Sequence, residues 1–191
     1  HASEEWILFL DAYERVSQEL AEEMRTEITK KDACNGYYIP FKHYFLGKWL
    51  KYGGWYPSYL PRLAKREKAS VTNPIHELLC IEGSIGYLKN DIIHLGDTSL
   101  FKRVAKTNMY TTLQAAQRYN KNTSLFILIL KLCSLPLLRF IKIYFVKRGI
   151  LDGIKGFIRA YLYMYTCFLV YMKEIELHQN NGKKSMERTW V

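Results

Sequence analysis

The chain has 191 residues, 49% hydrophobic and 24% charged, which suits one folded domain of ordinary size with an appendage and excludes a disordered sequence. A formal charge of +10 points to an anionic partner: nucleic acid, a negatively charged membrane surface or an anionic substrate. Four widely spaced cysteines, Cys34, Cys80, Cys133 and Cys167, form no Cys-x-x-Cys pair, which argues against a zinc site or a disulfide framework and for a reducing compartment.

In chain order, Trp6 to Leu10 is a short aromatic and β-branched run that reads as a buried parallel strand, ending in the acids Asp11 and Glu14. A buried parallel strand needs neighbours on both sides, and the chain opens with His1, so the expectation is the later part of a longer fold. Ser17 is a good N-cap for a helix running to about Lys30, with Glu residues in its first turns. Residues 35–96 mix aromatics and β-branched residues with Gly and Pro, predicting short strands at Gly36–His43, Tyr59–Ala64, Leu78–Ile81 and Ile92–His94.

From Ser99 the pattern turns helical, first over Ser99–Tyr119. Two apolar segments follow, Thr123–Val146 and Ile150–Met172, separated by Lys147-Arg148-Gly149. Between Leu125 and Arg159 there are seven Lys and Arg and one acid, Asp152. The first segment approaches transmembrane length, but Lys131, Pro136, Arg139 and Lys142 interrupt it. A helix pair lying in the membrane interface, with basic ends reaching lipid phosphates, suits it better; the bland reading is a helical subdomain packed on itself. The three regions are then 1–98, 99–179 and a flexible tail, 180–191.

Four constellations could carry chemistry. Asp11-x-x-Glu14 at a strand end could hold a hard divalent cation, or simply close a solvated turn. Gly53-Gly54-Trp55-Tyr56-Pro57, with His43 before it and Arg62 after, offers a close backbone approach, stacking faces and a phosphate partner; the alternative is a tight turn with core aromatics. His76-Glu77 after a rigid Asn73-Pro74 turn could supply a general base. His94 at the end of a strand could ligate a metal, although a lone His is more often structural.

Taken in order, strand-end Asp11, the Gly-Gly-Trp-Tyr-Pro run, His76-Glu77, strand-end His94, a basic helix and Leu151-Asp152-Gly153 resemble bacterial family 2 glycosyltransferases of the lipopolysaccharide inner-core β-glucosyltransferase type, from Trp6 to about Glu176. The resemblance implies an α/β fold: a partial GT-A, Rossmann-like domain with C-terminal amphipathic helices, lacking the first strands of the nucleotide-binding half. It implies an inverting, nucleotide-sugar-dependent transferase using a divalent metal, Mg or Mn. It assigns Glu77 as catalytic base, Asp11 and His94 to the metal, and Trp55, Tyr56, Arg62 and His76 to substrate, with the first three on an acceptor-side loop. The implied partners are a nucleotide-sugar donor, a lipid-linked or lipopolysaccharide-core acceptor, and a membrane surface at the cytoplasmic face of the bacterial inner membrane. Tyr13 stands where the family has a second metal-binding Asp. The competing reading is a non-catalytic membrane-surface or interaction protein. Nucleic acid has only the charge behind it, because no recognition motif accompanies the basic residues.

Overall fold

The computed structural model describes residues 3–72, 78–96 and 99–180, and it is mixed α/β. The chain divides into two compact units at residues 98/99.

The first unit is built on a mixed sheet. Its strands are β1 (Trp6–Leu8), β2 (Glu14–Val16), β3 (Gly36–Phe45), β4 (Lys48–Trp49), β5 (Tyr59–Lys65), β8 (Ile85–Tyr87) and β9 (Ile92–His94), in the order β1-β5-β3-β9-β2, with β4 and β8 also paired to β3. A separate antiparallel pair joins β6 (Ala69–Thr72) to β7 (Leu78–Ile81). One helix, α1, spans Gln18–Ile28.

β1 corrects the reading of the opening run. It is a half-buried edge strand, antiparallel to the later strand β5, with Trp6 opposite Lys65 and Leu8 opposite Leu63. Among the described residues its neighbour comes from downstream and lies on one side only; regular pairing lasts three residues, and Leu10 is already exposed.

β3 is the spine of the unit. It pairs antiparallel with β5 and parallel with β8 and β9. Pro40 lies inside it, where a missing N–H ordinarily breaks a ladder. The register explains the tolerance: β8 ends opposite Tyr38 and β9 begins opposite Phe41, so Pro40 falls in the gap between them. A two-residue turn joins β3 to β4, and Gly47 takes the positive φ (78°) that such hairpin turns demand.

Alternation along β3 sends Tyr37, Ile39 and Phe41 to one face. They pack with Leu20 of α1, Leu63, Leu88 and Ile92 into the core. Each such side chain contributes about 1.5–3 kcal/mol on leaving water. The helix reaches that core because Ser17 caps it: the Ser17 hydroxyl accepts from Leu20 N at 3.2 Å. Glu23, on the same helix, accepts from the backbone N–H groups of Lys89 and Asn90 at 2.9 and 2.8 Å, which fixes the approach to β9.

The second unit is helical: α2 (Leu100–Arg118), α3 (Leu125–Ile141), a π-helical turn (Lys142–Val146), a 3-10 turn (Gly149–Asp152) and α4 (Gly153–Gln179). The helix that carries the apolar segment Ile150–Met172 continues about two turns beyond it, through the more polar residues up to Gln179. Thr107, Thr111 and Ala115, four apart on α2, form a buried stripe. Lys173 of α4 secures it, donating to Asn108 O and Oδ1 and to the Thr111 and Thr112 hydroxyls at 2.7–2.8 Å. Leu128 of α3 packs with Cys167 and Tyr171 of α4. Among the described residues no helix is long and apolar enough to cross a membrane.

Candidate functional site

The acids after β1 occupy a closed turn. Glu14 N donates to Asp11 O at 2.9 Å, and Asp11 N donates to the Glu14 carboxylate at 3.0 Å. The two acids differ sharply in setting. Glu14 opens β2 and is only 3% exposed, whereas the Asp11 side chain is 64% exposed.

Arg62 joins them. It lies on β5 rather than on a loop, with Nη2 2.9 Å from Glu14 Oε1 and 3.4 Å from Asp11 Oδ2. Its guanidinium also covers the Phe41 ring at 5.3 Å. A buried carboxylate needs a charge partner, because desolvating it alone costs several kcal/mol. Arg62 supplies that charge, and its Nη2 does so for both acids.

From Glu14 a row of side chains runs across three strands. Glu14 of β2 stands opposite His94 of β9, which stands opposite His43 of β3. The two imidazole rings are 5.3 Å apart, and Trp55 meets His43 edge-on at 5.4 Å. His43 is on the core face of β3, two residues beyond Phe41, with the rings stacked at 5.7 Å. The structure thus brings together Asp11, Glu14 and Arg62 as one group, and His94, His43 and Trp55 as its continuation.

His94 is held by its own chain. Its Nδ1 accepts from Gly96 N at 3.1 Å, while Leu95 N donates to Tyr13 O at 2.9 Å. The bond occupies the Nδ1 lone pair and places the neutral ring's proton on Nε2. In this arrangement His94 has no lone pair for a cation. Gly96 is required for it: φ is 52°, and a Cβ there would fall 2.0 Å from Tyr44 O.

Tyr56 belongs to the opposite face of β3. Its ring meets Trp49 edge-on at 5.2 Å, beside the 2.9 Å ion pair of Lys42 with buried Asp91. Burial and the neighbouring Asp91 carboxylate push the Tyr56 phenol above its usual range, with Lys42 pulling the other way. Trp55 and Tyr56, adjacent in sequence, therefore serve different clusters. His76 and Glu77 lie outside the described residues.

A hard cation needs several oxygen ligands. Among the described residues no group of three or more His, Cys, Asp and Glu could hold a metal ion. Tyr13 adds no carboxylate and is 68% exposed. What remains is the exposed carboxylate of Asp11, which fits the mode in which Mg²⁺ keeps its waters and is held by one or two carboxylates and substrate phosphates. Glu14 and His43, which the sequence offers within the Asp11-x-x-Glu14 and Gly-Gly-Trp-Tyr-Pro constellations, take roles of their own here: Glu14 is the buried anchor, and His43, alternating with Ile39 and Phe41, is the bridge to Trp55.

No protein-family model and no solved structure matches the chain. A curated protein does: it is 24% identical, over 97% of this chain and 69% of its own length, to the lipopolysaccharide core biosynthesis glycosyltransferase LpsC of Rhizobium meliloti (strain 1021). The chain is a distant relative of a glycosyltransferase.

Proposed function

We propose that the chain carries the greater part of an inverting, nucleotide-sugar-dependent glycosyltransferase of lipopolysaccharide-core or cell-envelope glycan synthesis, with a GT-A-like sheet unit. The observation that supports this reading is the relationship to LpsC along nearly the whole chain. The exposed Asp11 carboxylate beside an aromatic and imidazole row is consistent with it.

In this reading Glu77 takes the proton from the acceptor hydroxyl, whose oxygen then attacks the anomeric carbon in line with the departing nucleoside diphosphate. A bound Mg²⁺ or Mn²⁺ would neutralise charge on that diphosphate. Asp11 is the protein group that would hold it, and His94 can join only by releasing the Gly96 amide. Of the two adjacent aromatics, Trp55 offers a face to a sugar on the side of the imidazole row, while Tyr56 would serve substrate only from the other face of β3; His76 adjoins the base. Arg62 acts by keeping Glu14 and Asp11 in place. The enzyme would work peripherally at the cytoplasmic face of the inner membrane, on a lipid-linked or core acceptor.

Calorimetric titration with nucleotide sugars, with and without Mg²⁺ or Mn²⁺, tests the donor half of the proposal. Metal-dependent binding that Asp11→Asn removes is expected; binding indifferent to metal and to Asp11 would refute the assignment. For transfer, Glu77→Gln should lower the rate by about 10²–10⁴-fold at unchanged donor affinity.

A second reading, a membrane-surface protein without catalysis, has one observation in its favour. The outer side of α3 exposes Phe126 (74%), Leu130 and Leu137 close to basic residues. Vesicle co-sedimentation with no sugar transfer in the same preparation would select it.

A further inference from the structure

The helical unit holds a cavity that the transferase reading leaves unused. It is about 270 Å³, the room of roughly nine waters at about 30 Å³ each, and is bounded by α2, α3, the π-helical turn and α4. Three cations line it, one from each of α2, α3 and the turn: Arg118, Arg139 and Lys142. Gln114 and Thr166 add neutral donors, and Leu135 and Val170 close an apolar wall.

The cations are not spent on one another's partners. Glu174, buried at 4% exposure, meets Arg118 Nε at 3.4 Å, and Arg118 Nη2 donates to the Tyr171 hydroxyl at 3.0 Å. These bonds orient the guanidinium and leave Nη1 without a protein partner among the described residues. The side chains of Arg139 and Lys142 make no ion pair or hydrogen bond among the described residues. One acid against three bases leaves two positive charges over a partly apolar cavity. Two of those charges are felt inside it: burial pushes the Cys167 thiol up, while Arg139 and Arg118 pull it back.

This is the donor set a phosphate group needs. A guanidinium presents parallel N–H groups to two phosphate oxygens, an ammonium adds a point charge, and the apolar wall keeps the pairing from being fully screened. We propose that this cavity is a binding site for a phosphate-bearing anion, held by Arg118, Arg139 and Lys142. The phosphate could be that of a lipid headgroup or of a free phosphate or phosphorylated metabolite. The proposal stands independently of the transferase reading, since it uses no residue of the sheet unit.

The test uses the full chain and two probes: inorganic phosphate, titrated by calorimetry, and vesicles of phosphatidylcholine with and without phosphatidic acid, followed by co-sedimentation. Arg139 and Lys142 are exposed, so Arg139→Gln with Lys142→Gln leaves the helix packing intact. Losing two charge-assisted contacts should weaken binding at least about tenfold. Lys147→Gln with Arg148→Gln removes the same charge outside the cavity and should change binding little. Saturable phosphate binding identifies a soluble ligand; binding only to phosphatidic acid vesicles identifies a lipid. Failure of both probes, or equal weakening by the two variant pairs, would overturn the proposal.

Discussion

The two units treat their charges in opposite ways. In the sheet unit, Arg62 is taken up by Glu14 and Asp11, and Lys42 by Asp91. In the helical unit Arg139 and Lys142 have no acid paired with them among the described residues, and large apolar side chains of α3 face outward. The lesson concerns how a basic residue is read. An arginine near glycines and aromatics suits phosphate in the sequence; in the structure the Arg62 guanidinium meets the buried carboxylate of Glu14. The arginine with open donors is elsewhere, on a helix whose sequence suggests only a basic, apolar surface.

That contrast breaks most visibly at Arg62. Arg62→Met would strand the Glu14 carboxylate in the core and should cost about 3–5 kcal/mol, measured by urea unfolding. The double variant Arg62→Met with Glu14→Leu should recover most of the loss, since replacing both partners of a buried pair is often nearly neutral. An Arg62→Met protein of full stability would mean that the ion pair is not structural and that the substrate assignment stands. The matching change in the helical unit, Arg139→Gln, should shift stability by no more than about 0.5 kcal/mol.

Gly96→Ala comes next. The added methyl would collide with Tyr44 O and force a residue with a side chain into a positive φ. A loss of about 1–3 kcal/mol is expected, together with release of the His94 imidazole, visible as a change in its ring chemical shifts by NMR. If stability falls and the His94 signal does not move, the Gly96 amide is not what orients the ring.

Much of the fold is legible in the sequence, and the parts that are not have identifiable causes. The strands at Gly36, Tyr59, Leu78 and Ile92 and the helices after Ser17 and Ser99 follow from local alternation, 3.6-residue periodicity and caps, which short-range chemistry dictates. The direction and depth of β1 do not, because Trp6 to Leu8 pairs with residues nearly sixty positions later. Asp11 and Glu14 stand three apart in one acidic turn, yet only the pairing of β2 with β9 shows that Glu14 is the buried one. His43 reads as one residue of a strand until the β9 register places His94 beside it.

Alkaline titration sharpens the same comparison more gently. In the sheet unit, burial holds the Tyr37 and Tyr56 phenols above 10.0, and the bond to Asp91 holds Lys42 above 10.5. Each keeps its proton better folded than unfolded, so its stability contribution is whole below pH 10 and is lost as pH rises through the folded-state values. In the helical unit two groups oppose each other. Burial raises Cys167 above 9.0, giving a similar loss from that pH, but lowers Lys173 below 10.5, so stability gains there up to 10.5 as the folded chain gives up its proton before the unfolded one does. Tryptophan fluorescence in a Trp190→Phe background, where Trp6, Trp49 and Trp55 report the sheet unit, should therefore fall more steeply above pH 10 than the helical signal at 222 nm. Tyr37→Phe should flatten the fluorescence decline.

The smallest contrast lies at two helix starts. Ser17 and Ser124 occupy the same N-cap position in α1 and α3, but only the Ser17 hydroxyl accepts a backbone N–H. An N-cap that makes its bond is worth about 1 kcal/mol, because the first-turn N–H groups have no helical partners. Ser17→Ala should lower stability by about that amount, and Ser124→Ala by less than about 0.5 kcal/mol. The asymmetry has a reason in packing. Leu20, which Ser17 serves, is fully buried, so the first turn of α1 must hold its place for the core to close. At the head of α3, Leu125, Phe126 and Ile127 are exposed, and the first buried residue, Leu128, comes one residue later into the helix than Leu20 does in α1. Equal losses at the two serines would show that the start of α3 is as ordered as that of α1, and would remove the ground for treating its apolar end as a surface open to a partner.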